Sequence, residues 1–230
     1  MEKKIFPESH LKKKYLYNRK ITGNLPKQKP AIFFDRDGVL IKDCNYLSSA
    51  DKVQIEPGVR ELIKFAKIHE WIIIIITNQS GISRGYFTWD EYKSVTDKFL
   101  SDLSLPSHVD GIYANGFYDE KFSNWRKPSP GMIFEAQQDF NIDLRRSILI
   151  GDRLSDLQAG LRANIKTIFH VLTGHGLAER NKIIQELEDI YLESKDINKH
   201  YLNEKGKFSK IFFINNLESF PINLLKLKDD

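Results

Sequence analysis

The sequence predicts an α/β fold, with a doubly wound and mainly parallel Rossmann-like sheet flanked by helices. Two observations support this class. Short apolar runs alternate with helical patterns from residue 31 onward, and each run is apolar at every position rather than at every second one. Such runs are typical of parallel strands covered on both faces. The alternation of strands and helices indicates a doubly wound sheet.

The individual elements follow from these patterns. The predicted strands are six short apolar segments, at residues 31–34, 71–76, 111–114, 147–150, 167–170 and 210–214. Between them, apolar residues three or four positions apart predict helices. One helix begins near Val59, a second at the capping-box pattern of Thr88 and Glu91, a third after Pro130, and a fourth at Asn181.

The chain divides into a basic N-terminal extension and one domain. Residues 1–30 contain nine Lys or Arg and two acids, a surplus of seven, so the other residues carry −3 within a total of +4. We expect an extension over residues 1–29 and a single domain over residues 30–230, with a helical insertion around residues 177–208. A basic tail can bind nucleic acid or membrane, but we expect a solvated extension. The acidic balance of the remaining chain argues against nucleic acid as a partner.

The composition is that of a globular protein without membrane spans. Apolar residues make up 41% and charged residues 29% of the chain. The run at residues 71–76 is too short to cross a bilayer, and the N-terminus has no apolar stretch of the signal-peptide type. The single cysteine, Cys44, cannot form an internal disulfide or a cysteine-rich zinc site. We therefore expect a cytoplasmic protein with no membrane partner.

Polar side chains follow three of the predicted strands where each strand ends. Asp35, Thr77 and Asp152 lie just beyond the first, second and fourth apolar runs. Because the carboxyl ends of parallel strands meet at one edge of a sheet, we expect these side chains to lie together. A cluster of aspartates repels itself unless a cation is bound, and Mg²⁺ prefers carboxylate, phosphate and water oxygens. The pattern therefore indicates magnesium-dependent phosphate chemistry.

Phosphoryl transfer needs a nucleophile, a cation, positive side chains and a proton donor for the leaving group. Asp35 can be the nucleophile and form an aspartyl-phosphate. Asp37 lies two residues further along an extended strand end and points to the same side. It can protonate the leaving oxygen, which is typically worth about 10²–10⁴ in rate. Lys127, after the third strand, is a candidate phosphate contact.

These residues follow the motif order of a known family. The chain resembles the haloacid dehalogenase-like (HAD) phosphatases, whose pattern is Asp-x-Asp-Gly, a Thr or Ser, a Lys, and Gly-Asp with a further Asp. Here the pattern falls on Asp35-Arg36-Asp37-Gly38, Thr77, Lys127, and Gly151-Asp152 with Asp156. The resemblance covers residues 30–176, with a weaker match at residues 210–225, and implies a HAD-like fold.

Longer matches indicate one branch of this family. The segments that start at Phe34, Thr77 and Arg126 look like those of enzymes that dephosphorylate D-glycero-D-manno-heptose 1,7-bisphosphate, a branch shared with histidinol-phosphate phosphatases. These enzymes lack a large cap domain, and the loop between Asp37 and Val59 leaves no room for one. The resemblance implies removal of the 7-phosphate from a small sugar phosphate, in the synthesis of lipopolysaccharide or another surface polysaccharide.

The resemblance also implies a role for each motif residue. Asp35 would be the nucleophile and Asp37 the acid–base residue, while Thr77 and Lys127 would hold the transferred phosphoryl group. Magnesium would be bound by Asp35, the carbonyl of Asp37, and Asp152. The residues that would contact the substrate are Asp43, Cys44, Asn45, Tyr46, Asn78, Gln79, Ser80 and Arg126.

The chain departs from the branch at two places. Enzymes of this branch usually carry a zinc loop of cysteines and a histidine before the Arg-Lys-Pro segment, but residues 115–124 contain neither residue type. We therefore expect Mg²⁺ and no zinc, with the loop held by packing of its aromatic side chains. The second departure is Arg153, where a lysine usually follows the Gly-Asp pair. Arg153 keeps the charge but not the geometry.

Other functions stay open at the level of the sequence. One alternative is a histidinol-phosphate phosphatase, and a second is a 3′-phosphatase of nucleic acid ends, which the basic tail favours slightly. A third is a non-catalytic phosphosugar-binding protein. Intact Asp35, Asp37, Thr77, Lys127 and Asp152 argue against this third reading. We expect a monomer or a small homo-oligomer.

Overall fold

A computed structural model describes residues 8–11, 16–20, 27–103, 108–191, 200–202 and 208–226. The strands in these ranges are β1 (Glu8–Leu11), β2 (Leu16–Lys20), β3 (Ala31–Phe34), β4 (Ile72–Asn78), β5 (Gly111–Asn115), β6 (Ile148–Gly151), β7 (Thr167–His170), β8 (His200–Leu202) and β9 (Phe208–Phe213). The helices are α1 (Val59–Ile68), α2 (Trp89–Asp102), α3 (Gly131–Phe140), α4 (Leu154–Arg162) and α5 (Gly176–Tyr191).

All of these strands belong to one sheet, in the order β1-β2-β5-β4-β3-β6-β7-β9-β8. The six central strands pair in parallel with their neighbours, in the order β5, β4, β3, β6, β7 and β9. The remaining pairings are antiparallel: β2 pairs with β5, β1 pairs with β2, and β8 pairs with β9. The strand order reverses on either side of β3, which therefore lies at the point where open α/β sheets bind ligands. The predicted α/β class, with a mainly parallel sheet, is confirmed.

Both faces of the central strands are buried, as continuous apolar runs require. Along β3, Ile32 and Phe34 face one core cluster, whereas Ala31 and Phe33 face the other. β4 alternates in the same way, with Ile73 on the first face and its neighbours on the second. The helices cover these faces, so the polar residues that end each strand are held at one rigid edge.

Helix boundaries follow local chemistry. At the start of α2, Thr88 accepts a hydrogen bond from the N–H of Glu91, whose side chain accepts one from the N–H of Thr88, which confirms the predicted capping box. Buried side chains line one stripe of α1, including Val59, Leu62 and Ile63. The capping contacts stabilise the N-terminus of α2 by about 0.5–2 kcal/mol.

The edges of the sheet differ from the sequence-based prediction. The sequence predicts no strand before residue 31, but β1 and β2 extend the sheet beyond β5. The insertion adds β8, and its helix begins at Gly176 rather than Asn181. Antiparallel strands toward the ends of a sheet need only one covered face, so their sequences carry little of the continuous apolar signal that identifies central strands.

The segment between β3 and α1 is a compact loop. It contains single bridges that join Asp37 to Ile41 and Ile41 to Ile55, and a 3₁₀ turn at Ala50–Lys52. Within the described residues, this loop is too small to be a large cap domain, in agreement with the sequence. None of the described helices has the length and apolar content that a bilayer span requires.

The stability of the central sheet can be tested at Ile74, which is fully buried in β4. Ile74→Ala should lower the free energy of unfolding by about 2–5 kcal/mol, because it leaves a cavity between the sheet and its helices. Ile68→Ala is the matched control, since Ile68 is 66% exposed and its truncation should change stability by less than about 0.5 kcal/mol. Denaturant unfolding of both variants measures the difference; similar losses would contradict the assigned core.

Candidate active site

The strand ends bring three carboxylates into one buried cluster. Asp35 follows β3, and its N–H donates to the carbonyl of Ile150 in β6 at 3.0 Å. Asp152 follows β6, and Asp156 lies in the first turn of α4. One carboxylate oxygen from each of these three residues lies within 4.8 Å of the others, and all three side chains are buried. Burial raises the pKa of Asp35, which Lys127 opposes and Asp156 reinforces.

Lys127 supplies the positive charge inside this cluster. Its Nζ lies 2.9 Å from Asp35 Oδ1 and 2.6 Å from Asp156 Oδ1, and it donates to the carbonyl of Ile76 at 3.0 Å. Burial alone would lower the pKa of Lys127, but Asp156 and Asp35 raise it to about 12. The ammonium group is therefore charged and bridges two carboxylates.

Asn78, at the end of β4, holds the backbone that carries Lys127. Its side-chain Nδ2 donates to the carbonyl of Lys127 at 3.0 Å, and its Oδ1 accepts from the N–H of Lys127 at 3.1 Å. This pair of bonds joins the carboxyl end of β4 to the segment before α3. Asn78 was predicted as a substrate contact, and in the structure its amide also positions Lys127.

Asp152 is fully buried beneath two glycine-containing loops. Its Oδ2 accepts from the N–H of His175 at 2.7 Å. Gly38 and Gly174 have φ values of +84° and +57°, and a Cβ on either would lie within 2.6 Å of Asp152 Oδ2, so only glycine fits. Among the described residues, Asp152 Oδ1 has no hydrogen-bond partner. Burial, together with Asp156 and Asp35, raises the pKa of Asp152.

His170 supports Asp152 from behind. Arg180 Nε donates to His170 Nδ1 at 2.9 Å, so the other ring nitrogen carries the proton and donates to the carbonyl of Asp152 at 2.9 Å. Arg180 also donates to the carbonyls of His170 and Ile214. Burial and Arg180 lower the pKa of His170 to about 4, which keeps the ring neutral. His170 was not among the predicted site residues.

Asp37 lies beside the cluster and is held from two sides. Arg36 donates to Oδ1 and Oδ2 of Asp37 at 3.0 Å each. Gln79 Nε2 donates to Asp37 Oδ2 at 2.6 Å and to Thr77 Oγ1 at 2.8 Å. Gln79 therefore joins Asp37 to Thr77, and Arg36 holds Asp37 from another direction.

A cleft of about 590 Å³ opens over these residues. Most of the predicted site residues line it, namely Asp35, Asp37, Asp43, Asn45, Tyr46, Thr77, Asn78, Gln79, Ser80, Arg126 and Lys127. Two predicted residues are not in its lining. Cys44 is exposed to solvent, and Asp152 is buried behind the carboxylates that form the floor.

Several lining residues were not predicted as site residues. Arg84, Arg153, Ser155, Asp156 and His175 also face the cleft. Asp156 and Arg153 were visible in the sequence as parts of a motif, and Arg84 lies in the segment that starts at Thr77. No local pattern marks His175, which only the fold brings to the cleft.

The loop after Asp37 forms one wall of the cleft. Asp43 accepts the N–H of Asn45 and forms an ion pair of 2.8 Å with His175 Nε2 when the histidine is protonated. Tyr46 packs edge-on against Tyr86, with ring centroids 4.6 Å apart. This wall is therefore tied to the segments that follow β4 and β7.

The segment before Lys127 is held by aromatic packing, as predicted. Phe122 stacks on Phe117 and meets Tyr118 edge-on, while Trp125 packs against Tyr113 of β5. Arg126 donates to the carbonyl of Phe117 at 3.1 Å, so the loop orients a predicted substrate contact.

Comparisons with known proteins identify relatives of this chain. A family profile described as HAD-hydrolase-like matches residues 124–194. D-glycero-beta-D-manno-heptose-1,7-bisphosphate 7-phosphatase of Helicobacter pylori strain J99 is 38% identical over 138 residues, which cover 59% of this chain and 79% of that protein. D-glycero-alpha-D-manno-heptose-1,7-bisphosphate 7-phosphatase of Photorhabdus laumondii is 40% identical over 160 residues, which cover 64% of this chain and 85% of that protein.

A solved structure shares the fold of this chain. The D,D-heptose 1,7-bisphosphate phosphatase from B. bronchiseptica, complexed with magnesium and phosphate, is similar with a TM-score of 0.66 and 26% identity, and the match covers 87% of this chain and 99% of that one. The chain therefore belongs to the HAD-like phosphatases, on the branch of the heptose-1,7-bisphosphate 7-phosphatases, and is a phosphoric monoester hydrolase.

Proposed function

We propose that this protein removes the 7-phosphate of D-glycero-D-manno-heptose 1,7-bisphosphate, through an aspartyl-phosphate on Asp35 and with Mg²⁺ bound. The main support for this function is the position of Asp35, which lines the cleft, contacts Lys127 and lies in one cluster with Asp152. The names of the relatives support the heptose bisphosphate. Both anomers occur among those names, so the proposal covers both. The product would serve the synthesis of lipopolysaccharide or another surface polysaccharide.

The chemistry divides into two displacements at phosphorus. In the first, Asp35 attacks, a P–O bond to Asp35 forms, and the bond to the sugar oxygen breaks while Asp37 gives that oxygen a proton. In the second, water attacks the aspartyl-phosphate, Asp37 takes a proton from the water, and the P–O bond to Asp35 breaks. Inorganic phosphate leaves, and both aspartates return to their starting state.

Thr77 and Lys127 would hold the phosphoryl group during both steps. The hydroxyl of Thr77 accepts a hydrogen bond from Gln79, so its own proton is available to a phosphoryl oxygen. Lys127 carries a full charge at the floor of the cleft. Donors that are fixed before the reaction stabilise developing charge without reorganisation.

The residues present fit a divalent cation. The buried cations Lys127 and Arg36 balance two of the four aspartates of the site. When all groups are ionised, a net charge of two negative units therefore remains. The four aspartates are Asp35, Asp37, Asp152 and Asp156. Asp152 Oδ1 also has no hydrogen-bond partner among the described residues. Asp35, Asp152 and the carbonyl of Asp37 would hold Mg²⁺, which would neutralise charge on the phosphoryl oxygens. We propose no zinc site, because residues 115–124 contain no Cys or His.

A bisphosphate also needs a second anion site, and the cleft offers one. Arg84, Arg126 and Arg153 line it together with His175. The three arginines lie outside the buried cluster, where Lys127 is already paired. We therefore assign the 7-phosphate to the floor and the remaining phosphate to the basic side chains of the walls.

Asp35→Asn should abolish turnover, by about 10³-fold or more, because the amide is not a nucleophile and cannot form the phosphoryl intermediate. Phosphate release from heptose 1,7-bisphosphate with Mg²⁺ measures this. Asp51→Asn, at an exposed aspartate, is the control and should keep full activity. Near-normal activity of the Asp35→Asn variant would contradict the assignment of Asp35 as the nucleophile.

Gly38→Ala should impair magnesium binding, because its Cβ would lie 2.6 Å from Asp152 Oδ2. Gly85 also has a positive φ, +73°, but nothing lies within 4 Å of its Cβ position. Gly85→Ala therefore reproduces the backbone strain, about 1–2 kcal/mol, without the collision. The Mg²⁺ concentration for half-maximal activity should rise about tenfold or more in the first variant only. An equal response of the two variants would contradict the site.

Substrate choice can be tested with three phosphate esters. Heptose 1,7-bisphosphate should be turned over with a higher kcat/KM than histidinol phosphate or a 3′-phosphorylated oligonucleotide. Arg126→Ala should lower kcat/KM for the bisphosphate by about 10–100-fold, the worth of a charge-assisted contact, and should affect p-nitrophenyl phosphate less because it lacks a second phosphate. Arg162→Ala, at an exposed arginine of α4, is the control. A preference for the oligonucleotide would overturn the sugar assignment.

A further inference from the structure

We propose that Arg36 is a positioning residue, whose guanidinium group fixes the plane and direction of the Asp37 carboxylate for proton exchange with the leaving oxygen. This role rests on the proposed function of Asp37 as acid and base. Arg36 occupies the variable position of the Asp-x-Asp motif, so the motif itself assigns it no task.

The contacts between the two side chains are bidentate. Arg36 Nη2 donates to both carboxylate oxygens of Asp37 at 3.0 Å, and Nε donates to Oδ1 at 3.1 Å. A guanidinium fork that meets a carboxylate in this way restricts rotation of the carboxylate as well as its distance. The ammonium group of a lysine would supply the charge without this restriction.

The guanidinium group is itself held firmly. Arg36 is only 1% exposed. Its guanidinium carbon lies 4.6 Å from the ring centroid of Tyr92, and Nη1 lies 3.4 Å from Thr96 Oγ1. Both partners belong to α2, which is anchored by its capping box. A charge buried this deeply is costly unless it is paired, and Asp37 is the carboxylate with which it pairs.

The opposite side of Asp37 faces the reaction. Asp37 lines the cleft and is 23% exposed at its side chain. Gln79 links its Oδ2 to the hydroxyl of Thr77, a proposed phosphoryl contact. Arg36 and Gln79 therefore hold the oxygens of Asp37 while part of its side chain stays accessible from the cleft.

The side chain of Arg36 is not required to form the loop itself. The turn after β3 is made by backbone bonds, in which the carbonyl of Arg36 accepts from the N–H groups of Val39, Leu40 and Ile41. A substitution that keeps the charge should therefore leave the turn and the cleft in place. Arg36→Lys is such a substitution.

The test compares two leaving groups in wild type, Arg36→Lys, Asp37→Asn and the double variant. Alkyl phosphates need a proton on the leaving oxygen, whereas p-nitrophenolate leaves without one. We expect Arg36→Lys to lower kcat/KM for the heptose bisphosphate by about 10–100-fold, because the substitution removes part of the rate enhancement from general acid catalysis. For p-nitrophenyl phosphate, kcat/KM should fall by less than about threefold, since its leaving group needs no proton. The double variant should lose no more than Asp37→Asn, because both changes remove one function.

A burst of p-nitrophenol gives a second readout. Hydrolysis of the aspartyl-phosphate needs Asp37 as base, so Arg36→Lys should accumulate the intermediate and release nitrophenol in a rapid first turnover. Arg60→Lys, at an exposed arginine outside the cleft, is the control. Thermal unfolding of each variant checks the fold.

Equal losses for the two leaving groups, or losses that multiply in the double variant, would overturn the positioning role. If wild type releases no phosphate from the heptose bisphosphate, the substrate assignment fails by itself. The comparison then uses glycerol phosphate as the alkyl ester, and the same ratio decides the role of Arg36.

Discussion

The ion pairs of Lys127 with Asp35 and Asp156 are the interaction on which the site depends. Three buried carboxylates at one sheet edge repel one another, and each raises the free energy of the others in a medium of low dielectric constant. The ammonium group offsets part of that repulsion. Its position requires the parallel register of the strands, because the carbonyl of Ile76 in β4 and the amide of Asn78 hold the lysine in place.

The central strands and the motif residues could be predicted because their signals are local. A run such as residues 31–34 is apolar throughout only where both faces are covered, and an aspartate directly after it must lie at the sheet edge. The contribution of His175 could not be predicted in this way. It depends on the fold of the β7–α5 connection over Asp152, and nothing in its neighbouring residues indicates that contact.

Two polar residues that were predicted to contact the substrate also hold the site together. The resemblance to the phosphatase family predicts Asn78 and Gln79 as substrate contacts, and both line the cleft. Their amides also join Lys127, Asp37 and Thr77 by hydrogen bonds. A sequence motif cannot separate these two uses, because the same residue type serves both. Substitutions at these positions would therefore change both geometry and affinity.

The close approach of Gly38 and Gly174 joins the loop after β3 to the connection between β7 and α5. A Cβ on Gly174 would lie 2.6 Å from the Cα of Gly38, and Asp152, which both glycines approach, has no exposed surface. A side chain at either glycine would therefore displace the backbone of the other loop as well as the carboxylate of Asp152. The two loops constrain each other's sequence, although they lie far apart along the chain.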